Sequence, residues 1–110
     1  IRRDGFPQAR PLWGVWQDRL LFLSVGHAGL QRAANPEGAV TVHVDSAVDV
    51  VILEGTIERT SGDDAARRAG EAYAAKYDYS SDYVNFVMRP RIAYGWRAED
   101  VKTGTKWIFA

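Results

Sequence analysis

The stretch from Arg10 to Pro36 constrains the fold more than any other part of the chain. An apolar run of Leu12, Trp13, Val15 and Trp16 meets the polar turn Gln17-Asp18-Arg19, and a second apolar run, Leu20 to Ser24, follows at once. Two such runs joined by a few polar residues form an antiparallel hairpin. Val25-Gly26-His27-Ala28-Gly29 then leads into a short helix from Gly26 to Ala34, stopped by Asn35-Pro36, because proline cannot continue a helix. A hairpin that runs straight into a glycine-flanked helix start can hold a flat apolar ligand against its strands. The ligand's phosphate would sit at the helix, where free N–H groups and a partial positive charge collect.

The remaining chain reads as strands around one longer helix. Before the hairpin the backbone is extended from Phe6, with Pro7 and Pro11 marking an edge or bulged start. Ile1-Arg2-Arg3 is a strand stub entering the turn dipeptide Asp4-Gly5, so a preceding N-terminal strand is expected outside this sequence. Ala39 to Asp45 alternates, with Val40, Val42 and Val44 on one face and Thr41, His43 and Asp45 on the other. Ser46-Ala47 turns the chain into the longest strand, Val48 to Thr60, in which Gly55 marks a bulge. Ser61 is placed to cap a helix reaching about Tyr77, with Asp63 and Asp64 in the first turn, where the helix dipole favours negative charge. Ala65, Ala69, Ala72, Tyr73 and Lys76 share one side of it. Asp63, Asp64, Arg67, Arg68 and Glu71 lace a solvated exterior. A polar loop from Asp78 to Asp82 precedes a strand from Tyr83 to Arg97, broken by Pro90. Gly104 then turns the chain into a last strand, Thr105 to Phe109.

Six or so hairpin-linked strands without regular crossover helices argue for a small antiparallel barrel, not a doubly wound sheet. The 110 residues fit one domain, 1–110. Leu12 to Trp16 and Val50 to Leu53 are apolar on both faces, and a second copy of the chain is the simplest cover for a barrel strand of that kind. Fourteen basic residues balance 14 acidic ones, and no block of like charge suggests a nucleic-acid arm or a membrane-surface patch. The absence of cysteine excludes disulfides, thiolate metal sites and cysteine nucleophiles. The Val50–Leu53 aliphatic run falls far short of the ~20 residues of a membrane span, and the expected location is the cytoplasm.

The ordered set of features resembles the pyridoxamine 5'-phosphate oxidase-like FMN-binding split-barrel superfamily. The resemblance rests on Asp4-Gly5 with Pro7, Arg10-Pro11-Leu12-Trp13, Leu21-Phe22-Leu23-Ser24, the helix closing in Ala34-Asn35-Pro36, Ala39 to Val44 and Val50 to Thr56. Arg89-Pro90-Arg91, Gly95-Trp96 and Trp107-Ile108-Phe109 complete it. It implies a mainly β fold with short helices: a six-stranded antiparallel split β-barrel that forms a homodimer. It also implies FMN or a deazaflavin coenzyme, with the ring along the strand after Arg10 and the phosphate at the helix start. Counting back from Asn35-Pro36, the family's basic position falls on Ala28 or Leu30 and its Asn on Gln31. The phosphate therefore passes to Arg10, His27, Gln31 or Arg32. Leu12, Trp13 and Gly14 back the ring, and Ser24, Val25 and Gly26 border it.

The function so implied is hydride transfer to or from a small organic substrate, with the cofactor supplying the chemistry. Trp96 or Trp107 of the partner copy would shape the substrate's entry, and no catalytic residue is singled out. The alternative is a non-enzymatic dimeric barrel with lost or altered cofactor binding; a haem- or small-ligand-binding barrel is a third class. Trp13 and Trp16 also suit core or interface roles, on opposite faces of a regular strand. His43 reads as surface or interface, without a second metal ligand at useful spacing. Arg89 and Arg91 share a strand face at i, i+2 and could reach an anionic ligand across the barrel or pair with Glu54 and Glu58, the ion-pair reading being preferred. No nucleophile–base pair, zinc-protease motif or P-loop is present.

Overall fold

The computed structural model describes residues 5–7, 9–34 and 37–109, with backbone alone at 81 and 100–103. The Ile1–Asp4 stub and the Asn35-Pro36 helix stop lie outside the described residues. β1 (Trp13–Gln17) and β2 (Leu20–Ser24) pair from Trp13↔Ser24 to Gln17↔Leu20. Only Asp18 and Arg19 form the loop, with φ of 54° and 63°. Two positive φ values in a two-residue loop twist in the same sense as the strands, so Gln17 stays in β1.

α1 (Ala28–Ala33), β3 (Glu37–His43), β4 (Asp49–Arg59), α2 (Asp64–Tyr77), a 3-10 turn (Ser81–Tyr83), β5 (Phe86–Arg97) and β6 (Asp100–Ile108) follow. The result is a mainly β antiparallel sheet with two short helices. The strand order is β1-β2-β5-β4-β3, with β6 also on β5. β5 organises the sheet: β4 pairs along one edge, while β2 (at 86–88) and β6 (at 92–97) share the other end to end.

The expected barrel is not closed among the described residues, and β1 and β3 are the ends of an open path. At β1 the reason is local. The Tyr77 hydroxyl accepts from Gly14 N–H at 3.1 Å, and the Gly14 carbonyl meets Tyr77 Oη and Lys76 Nζ, each at 2.9 Å. Side chains of α2 thus occupy the edge groups a closing strand would need.

Three local expectations are corrected. Pro90 does not break its strand: it sits opposite Gly55, where the β4–β5 register shifts, and a bulge tolerates the missing N–H. Gly104 lies inside β6; the turn is at Ala98-Glu99, where Ala98 N–H donates to Val48 C=O at 2.7 Å. Ser61 does not cap α2. Asp63 Oδ1 accepts from Ala66 N–H at 2.9 Å, and Asp78 closes the helix in the left-handed region at φ 52°.

Strand alternation sends neighbouring residues to opposite faces of the sheet, and each face has its own core. Val15, Phe22 and Val87 pack on Ala69 and Tyr73 of α2, where buried Ala69 and Gly70 leave room for close approach. Leu23, Val25, Ala34, Ile57, Phe86 and Met88 fill the other face, with Leu12 and Leu30 against them. Beyond the helices, Trp16, Val51, Trp107 and Ile108 remain exposed. No helix among the described residues is long and apolar enough to cross a membrane.

Candidate functional site

Where β1, the end of β2 and the end of α2 converge, the surface opens into a groove of ≈ 410 Å³. Arg10, Leu12, Trp13, Ser24, Gly26 and His27 line it, joined by Tyr73, Tyr79 and Tyr83. The two sides differ in chemistry. Trp13 stacks on Tyr77 with centroids 4.5 Å apart and planes 5° from parallel, and Tyr79 meets it edge-on at 5.8 Å. Tyr79 also packs on Tyr83 at 4.8 Å. Trp13 nevertheless keeps 49% of its surface exposed, so the aromatic wall offers ring area to a ligand. The Tyr79 hydroxyl, through its charge and its hydrogen bond, pushes the Tyr83 phenol above the usual value of 10.0.

The polar side is rich in donors. An Arg10 guanidinium nitrogen lies 3.1 Å from His27 Nε2, and Leu30 N–H donates to His27 Nδ1 at 3.3 Å. A neutral imidazole has one acceptor nitrogen, so it satisfies one of these donors at a time. With Nδ1 taken by Leu30, Nε2 carries the ring proton and the Arg10 guanidinium is left without that acceptor.

α1 has six residues, and its Leu30 N–H is already held by the His27 cap. Gln31 is committed elsewhere: its Nε2 donates to Val25 C=O at 2.7 Å, and its Oε1 accepts from Arg59 at 3.4 Å. Val25 is core, 2% exposed, and Gly14 is tied to α2 through its backbone. Arg32 is an exposed residue of α1 outside the groove lining.

The sequence pattern does not single out the tyrosines as site residues, although four of the chain's five fall between 73 and 83, a clustering that marks an aromatic surface. Nor does it single out Asn85. The Asn85 Oδ1 accepts from Val25 N–H and its Nδ2 donates to Val25 C=O, both at 2.8 Å, which fixes the strand end feeding Gly26 and His27. No group of three or more His, Cys, Asp or Glu residues among the described ones could hold a metal. No protein-family model, no curated protein and no solved structure matches this chain.

Proposed function

We propose that the groove binds a planar ligand with an anionic arm, and that this ligand is FMN or a deazaflavin used in hydride transfer to a small organic substrate. The observation that carries the reading is the juxtaposition of an aromatic wall at Trp13, Tyr79 and Tyr83 with the Arg10–His27 donor pair in one groove. The donor set fits such a group: Arg10 and His27 for the phosphate, Ser24 for a ring-edge polar atom, Leu12 and Trp13 for the ring. When bound, the flavin supplies the hydride-accepting ring; the chain binds it, orients it and excludes water from one face. We further propose that two copies associate through the exposed Trp16, Trp107 and Ile108 surface, completing the split barrel.

A non-enzymatic ligand-binding module is the second reading. It is favoured by the Trp13–Tyr77 stack, which already uses one indole face. Titration with FMN, and separately with a deazaflavin, while following tryptophan and flavin fluorescence tests both. Saturable quenching supports the cofactor reading. Binding of neither at high micromolar concentration overturns it.

A further inference from the structure

The two arginines flanking Pro90 behave differently, and the difference exposes a second recess. Arg89 Nε donates to Glu58 Oε1 at 3.0 Å. Arg91 forms no matching pair with Glu54. The cause is the bulge: Glu54 pairs with Ile92 and Gly55 with Pro90, so Arg91 is the extra residue, out of step with Arg89. Among the described residues neither the Arg91 nor the Glu54 side chain has a hydrogen-bonded or ionic partner.

Both line one recess of ≈ 480 Å³, larger than the aromatic groove, with Pro7, Val40, Thr41 and Ile92 among its walls. A carboxylate and a guanidinium that share a partly apolar recess without neutralising each other form a complementary pair for a ligand carrying both charges. Arginine binds a carboxylate through two parallel N–H···O bonds, and a carboxylate binds an ammonium. We propose that this recess binds a small zwitterion with an apolar side chain, of the α-amino-acid class. The ligand's carboxylate lies on Arg91, its ammonium on Glu54 and its side chain on Ala39, Ile92 and Pro7. The site is separate from the Arg10–His27 groove and does not rest on the cofactor reading.

The test is an amide NMR titration of the chain with L-leucine, N-acetyl-leucine and leucinamide, repeated on Arg91→Gln and Glu54→Gln. Both residues are exposed, and unchanged spectra away from the recess show that the variants fold. Leucine should shift the Thr41, Gly55 and Ile92 amides saturably. Each blocked analogue, and each variant with leucine, should bind roughly tenfold or more weakly, as loss of a charge-assisted contact requires. No shift, shifts confined to other surfaces, or equal binding of the blocked analogues would overturn the proposal.

Discussion

Arg68 Nη2 stands 2.6 Å from Asp18 Oδ2, joining α2 to the tip of the β1–β2 hairpin. The bond lies on an exposed helix face that the i, i+4 pattern assigns to solvent, and Arg67, paired with Glu71 at 3.0 Å, obeys that pattern. Arg68 instead orients a loop whose two residues both adopt positive φ. That backbone is unfavourable for side chains other than glycine, asparagine or aspartate.

The same contact predicts a pH dependence. The hydrogen bond from Arg68 holds the Asp18 carboxyl below its ordinary 3.8. A folded-state value below the unfolded one gives stabilisation that is complete above the ordinary carboxylate range and is lost as pH falls through the lowered value. Arg68→Gln should return Asp18 towards 3.8 in a carboxyl NMR titration and should make acid unfolding less steep in that window. An unmoved Asp18 would show that the bond does not persist in solution.

Gly55 has no room for a side chain. A Cβ there would strike the Arg89 carbonyl oxygen and come within 2.8 Å of Pro90 Cα, both backbone atoms that cannot rotate away. Gly55→Ala should destabilise the fold by about 1–3 kcal/mol, read as a lower urea midpoint with an unchanged slope. Full stability in this variant would place the bulge elsewhere.

Asn85 acts as a one-residue strand partner for Val25. Asn85→Ala orphans the N–H of a residue that is 2% exposed, while the carbonyl keeps Gln31. Leaving a buried donor unpaired costs about 1–3 kcal/mol. Chemical denaturation should show that loss, and hydrogen exchange should show faster exchange at Val25 than at Phe22.

What is legible in the chain follows from the range of each interaction. Trp13 to Ser24 announces its hairpin because apolar runs and turn lie within a few residues, and the valines of β3 announce their partly buried face by period alone. Gly55 is readable as a bulge, since a glycine inside a strand run marks either a bulge or a close backbone approach. Its partner Pro90 reads locally as a break, because its tolerance depends on a residue of another strand. The open sheet is hidden for the same reason: Lys76 and Tyr77 reach Gly14 across more than 60 positions. Arg10, Trp13, Ser24 and His27 meet in one groove as the hairpin-to-helix order implies, whereas Gln31 is withdrawn by a carbonyl whose direction no local pattern encodes.

The groove makes its sharpest prediction through two arginines. Arg10 lies 3.1 Å from His27 on the donor-rich side, while Arg32, on α1, does not line the groove. If the phosphate of FMN sits there, Arg10→Ala should weaken FMN by about 1.5–3 kcal/mol, the worth of a charge-assisted bond. Arg32→Ala should leave the affinity unchanged. Riboflavin, which offers the same ring without the phosphate, should bind wild type and Arg10→Ala alike, because its contacts stop at the aromatic wall. Fluorescence titration of the three proteins with the two ligands reads all six affinities. Equal losses for FMN in both arginine variants would move the phosphate to α1, and an equal loss of riboflavin in Arg10→Ala would mean that Arg10 shapes the groove without binding the anion.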